Sequence, residues 1–146
     1  MSPESLFSTA NTIAMVGWIV LIVLPRWRNA DQFIIGVIVT LFAITYSFVL
    51  FQHFRLDTIS KFGTLAGVME LFTKPEVVVA GWIHYLAFDL MTGLFITKNA
   101  RLHGIHHGLV IPCLLLTFMF GPVGLLLFLL IRWLVTKQYF AINYNA

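Results

Sequence analysis

The sequence predicts an all-α integral membrane protein with four transmembrane helices and an interfacial amphipathic helix between the second and the third. Three observations lead there. Apolar residues fill 60% of the 146 positions and charged residues 10%, against roughly 45–50% and about 25% in a soluble domain. Four stretches of about 20 residues are nearly free of charge, each reaching ~30 Å as a helix, the thickness of a bilayer core. Strict period-two alternation is absent, so a β-barrel is not expected.

The first span reads Leu6 to Leu24 and is stopped by Pro25-Arg26-Trp27-Arg28. The second, Phe33 to Phe51, ends on Gln52-His53-Phe54-Arg55. The third, Pro75 to Thr97, opens on a proline suited to a first helical turn and holds Asp89, the only acid in any of the four apart from Glu76 in that first turn. The fourth runs from Gly108 to Ile131 and closes on Arg132-Trp133. Within it, Gly121-Pro122 reads as packing plus a chain break. Between the second and third spans, Phe62, Leu65, Met69 and Phe72 fall at helical spacing near Arg55, Lys61 and Lys74, the pattern of a helix lying in the interface. No repeat or boundary divides the chain, so residues 1–146 read as one transmembrane domain.

Charge and cysteine exclude other classes. The nine Lys and Arg are scattered over short loops, so a net charge of +3 marks no nucleic-acid partner. The single cysteine, Cys113, lies in an apolar run as a small buried hydrophobe and cannot form an internal disulfide. The start of the chain carries Glu4 and no Lys or Arg, unlike a secretory signal, so the first span is expected to stay attached. A multi-pass protein of a bacterial inner membrane fits these features. Arg26 and Arg28 in loop one, with Lys98 and Arg101 in loop three, place both loops in the cytoplasm and both termini outside.

Ionisable residues inside a span are costly, about 2.5–3.5 kcal/mol for a carboxylate on insertion scales, so Asp89 is the leading candidate for a working residue. Trp82, Tyr85 and Thr92 share its helical face. His84 lies roughly 140° round the helix, at the edge of that face. A second cluster is His103-Gly104-Ile105-His106-His107. If loop three ends the third span at Thr97 and a helix restarts near Arg101, Asp89 sits about 12 Å below the loop and His107 about 9 Å, so the two would face each other. An H-x-x-H-H pattern also resembles the boxes of membrane di-iron enzymes, but five histidines are too few. A single zinc or iron on two or three of His103, His106, His107 and Asp89 is the metal alternative.

Taken together, Trp82-Ile83-His84-Tyr85-Leu86-Ala87-Phe88-Asp89-Leu90, then His103-Gly104-Ile105 with His107, then Pro112-Cys113 through Gly121-Pro122-Val123-Gly124, resemble the abscisic-acid-deficient-four-like family. Its plant members are chloroplast membrane proteins needed to make neoxanthin from violaxanthin. The resemblance implies lateral entry of a carotenoid or other isoprenoid from lipid. It further implies an acid/base isomerisation of an epoxide, without cofactor, by Asp89, His107 and His84. Trp82, Tyr85, His103 and Phe118 are the expected substrate-binding residues. Homo-oligomers, or association with carotenoid-synthesis enzymes, would be the partnerships. Bacterial members tend to carry proline where this chain has His106. The rival class is a pigment-binding module in which Trp82, Phe88, Phe118 and Phe120 line a polyene without changing it.

Overall fold

The computed structural model describes residues 2–53 and 56–137, which are helical and contain no strand. Helix α1, Pro3–Val23, starts on Ser2, whose hydroxyl accepts the Ser5 amide at 3.2 Å, with Pro3 in the first turn where no N–H is needed. Helix α2, Ala30–His53, widens into a π turn over Ile34–Val39, where the Thr40 amide and hydroxyl both donate to the Ile35 carbonyl.

The segment expected to be one amphipathic helix forms two short ones, α3 (Leu56–Lys61) and α4 (Leu65–Leu71). Thr64 interrupts them by capping α4, its hydroxyl accepting the Gly67 amide at 3.1 Å. Gly67 rests on the Lys61 backbone, where no side chain fits, and a Lys61–Glu70 ion pair at 2.8 Å clips the helices together. Ile59, Phe62, Leu65 and Met69 are left exposed. Arg55 lies outside the described residues.

Helix α5, Pro75–Leu102, is 28 residues long and passes Thr97, the expected end of the third span, by a turn and a half. Lys98 does not stop it because its ammonium reaches Asp31 at 2.6 Å, at the start of α2. The stop comes from Gly104 (φ +66°). The Gly104 amide bonds to the Arg101 carbonyl at 3.2 Å and the Ile105 amide to Ala100 at 2.9 Å, a glycine-terminated reversal with Ile105 buried behind it.

The fourth stretch departs most from expectation. Instead of one continuous span there are α6 (His107–Phe120) and α7 (Pro122–Thr136), about 21 and 22 Å long, each too short to cross a bilayer core of ~30 Å. Gly121 (φ +51°) ends one helix and Pro122 opens the next. The chain reverses there. Gly124 packs on Thr117 and the Cys113 carbonyl, and the Phe128 ring meets Phe95 edge-on at 6.4 Å. Phe95 lies on the loop-three side of Asp89, so α7 returns toward the end from which α6 came. A Gly124→Ala change would drive a methyl into Thr117, and overpacking of this kind costs about 1–3 kcal/mol. The expected result is a loss of monodisperse protein in detergent, read by size-exclusion chromatography after mild heating.

Three helices, α1, α2 and α5, are long and apolar enough to cross a membrane. α1 and α5 run parallel: the Trp82 indole donates to Asn11 at 2.9 Å, and Trp18 and Leu21 close on Gly93. α2 runs antiparallel to both, tied to α5 by Lys98–Asp31 at one end and by Tyr46 against His84 further along. Gly17 and Gly93 let the helix backbones approach, since a Cβ at either would lie within 3 Å of Leu90 or of Trp18 and Leu21. Trp18, Leu21, Ile34, Leu90, Leu114 and Phe128 form the fully buried centre.

Candidate functional site

The reversal at Gly121 delivers its backbone to the middle of α5, where Asp89 is buried at 8% exposure. A Cβ at Gly121 would lie 3.1 Å from Asp89 Oδ1 and 3.6 Å from the Tyr85 ring, so glycine is required there both for its positive φ and for space. Tyr85 lies one turn before Asp89, its ring packed against the same Gly121 position. Asp89 Oδ2 is buried with no hydrogen-bond partner. A buried acceptor left in that state is costly and marks a place where a proton, a water or a ligand group belongs.

Exposure along the Asp89 face shows how the site opens. On the loop-three side, Ile96 is fully covered at 0%. On the opposite side, where the α6–α7 hairpin has turned back, Val78 and Trp82 stand 42% and 37% exposed. Trp82 there stacks on Phe7 of α1 at 5.3 Å and on Tyr85 at 5.5 Å. Phe118, on α6 above the reversal, meets Trp18 edge-on at 5.6 Å. The result is an aromatic flank open to the side, ending at a carboxyl.

The structure brings Asp89, Tyr85 and Trp82 together on one face of α5, sets Phe118 against Trp18, and separates the histidines from them. His84 is exposed on the outer face of α5 between Phe88 at 4.5 Å and Tyr46 at 5.6 Å. Its angular offset from Asp89 carries it out of the site. His107 opens α6, fourteen residues before Gly121, which puts it about 20 Å from Asp89 along the helix. The expected Asp89–His107 pairing fails for two reasons: α5 continues past Thr97, and the next helix starts at His107 rather than near Arg101. His107 Nε2 instead bonds to the Ile22 carbonyl at 2.8 Å, fastening α6 to the end of α1. His103 Nδ1 bonds to the Asn99 carbonyl at 2.9 Å. Among the described residues no three His, Cys, Asp or Glu side chains converge, and His103, His106 and His107 do not meet Asp89.

His106 has a local task. Its Nδ1 accepts the Gly108 amide at 3.1 Å, capping α6. Its φ of −61° is already that of proline. A His106→Pro change loses a cap of about 1 kcal/mol and regains about 0.4–1 kcal/mol by restricting the unfolded chain. The melting temperature of the purified protein is expected to stay within a few degrees of wild type, read by thermal unfolding in detergent.

Two members of the site escaped the sequence reading. Asn11 holds Trp82, and its signal was a lone amide inside an apolar run. Gly121 showed as a chain break, without indication that the break faces Asp89. No curated protein and no solved structure matches the chain. A family model described as ABA DEFICIENT 4-like matches residues 5–128, a stretch holding α1, α2, Asp89 and the reversal. The chain belongs to that family.

Proposed function

We propose that this is an integral membrane protein that takes an isoprenoid, of the carotenoid class, from the bilayer and isomerises it at Asp89. The observation that carries this reading is the orphaned Asp89 oxygen at the end of an aromatic flank open to lipid. Family membership supports a carotenoid-related role. The histidines being remote, one carboxyl serves both proton steps. Asp89, protonated, gives its proton to the epoxide oxygen as the ring C–O bond breaks. The carboxylate then takes a proton from the neighbouring polyene carbon, and the C–H electron pair becomes the second double bond of an allene. Atoms and charge balance, Asp89 ends protonated as it began, and no redox partner enters. Tyr85 orients the carboxyl, and Trp82 and Phe118 pack the polyene.

Among the described residues, Arg26, Arg28, Lys98, Arg101, Arg132 and Lys137 gather at the end holding loops one and three, against Lys61 and Lys74 at the other. That excess supports a cytoplasmic first end, with the open flank in the far leaflet. Helices α3 and α4, with Phe62, Leu65 and Met69 exposed, lie at the far interface as the amphipathic element. The test is chromatography of pigments from membranes in which the protein is produced together with an epoxy-carotenoid. An allenic product of unchanged mass is expected. Bound pigment recovered unaltered would leave the aromatic flank as a non-catalytic pigment-binding surface.

A further inference from the structure

A second cavity lies at the opposite end of α6 from Asp89, and nothing in the proposed isomerisation uses it. It encloses about 860 Å³ between loop one and loop three, within the range of ligand sites. Its polar wall consists of Arg26, Arg101, His106 and His107, and no Asp or Glu lines it. The acid nearest in the fold, Asp31, is occupied by Lys98 at 2.6 Å, while neither arginine makes an ion pair among the described residues. Arg101 spans from α5 to the Pro25 carbonyl at 3.4 Å, which draws its guanidinium across the cavity. His106 Nδ1 accepts the Gly108 amide, which leaves Nε2 as the donor of a neutral ring, whereas His107 spends its Nε2 on the Ile22 carbonyl. The wall therefore offers donors and positive charge, and the floor, with Ala100, Ile105 and Val110, is apolar.

We infer that this cavity binds a phosphate group, with Arg26 and Arg101 as its principal ligands and His106 as an added donor. Guanidinium forks match phosphate oxygens two at a time, which lysine would not do. A site of this kind stands independently of the isomerase reading. The phosphate can belong to a lipid headgroup, whose chains would follow the apolar floor, or to a free anion.

Thermal unfolding of the purified full chain separates these. Phosphatidylglycerol added to the detergent is expected to raise the melting temperature by about 5 °C, and phosphatidylcholine by much less. A comparable rise with inorganic phosphate alone would assign the site to a free anion, and its absence to the lipid. The rise should vanish in Arg26→Gln/Arg101→Gln and persist in Arg28→Gln, a loop-one charge outside the cavity. Should the double variant fail to fold, each single variant is expected to lose about half of the rise. No rise with either probe, or an undiminished one in the variants, would overturn the site.

Discussion

Replacement of Asp89 by Asn is expected to lower product formation by about 10²–10⁴-fold, the scale of a lost general acid or base, while leaving the protein as stable as before. The amide keeps the volume beside Gly121, so the reversal has no reason to move. It also removes an ionisable group from a depth where charge is expensive, so the melting temperature should hold or rise. Tyr85→Phe, which strips the hydroxyl proposed to orient the carboxyl, should cost less. His107→Gln and His84→Gln should stay close to wild type in turnover, because both side chains are remote from the carboxyl. A loss in His107→Gln equal to that in Asp89→Asn would restore the two-residue mechanism and contradict the 20 Å separation. Full turnover in Asp89→Asn at matched expression would return the carboxyl to packing.

The second large effect is a matter of sides. With α6 and α7 forming a hairpin, a topology reporter placed after Tyr144 is expected on the same face of the membrane as reporters in loop one, after Arg28, and in loop three, at Gly104. One near Thr58 should sit opposite. Tyr144 lies outside the described residues, but seven residues of chain cannot carry it from Lys137 across a bilayer core of ~30 Å. A reporter after Tyr144 opposite to the one at Arg28 would mean that the last apolar stretch crosses after all, and would remove the open flank.

Much of this fold can be read from residue type. Charge-free length and flanking Pro25, Arg26 and Pro75 are enough to find α1, α2 and the start of α5. The end of α5 was misplaced because Lys98 and Arg101 look like loop residues until their side chains are seen reaching Asp31 and Pro25. The hairpin was hidden for a different reason. Hydropathy counts residues along a line, and the stretch from Gly108 to Ile131 looks the same whether it crosses or returns. The packing of Gly124 on Thr117 and the contact of Phe128 with Phe95 distinguish the two. For the site, a carboxyl in a span announces itself by cost alone, so Asp89 was legible. Its partners were not, because which face of a neighbouring helix it meets depends on that reversal.

The hairpin has a mechanical consequence as well. Among the described residues, α1, α2, α5, α6 and α7 share the cross-section at the level of Phe95; at the level of Trp82 the hairpin is gone, and α1, α2 and α5 are joined there by the ring of Phe72, beside Gly81. With each helix about 10 Å across, the molecule is a wedge, broad in one monolayer and narrow in the other. Lipids around the narrow end must splay to fill the space, and those around the broad end are crowded. Such a shape favours membrane that bends around its wide side, and it makes insertion of a stiff, rod-like molecule beneath the hairpin a relief of that packing stress.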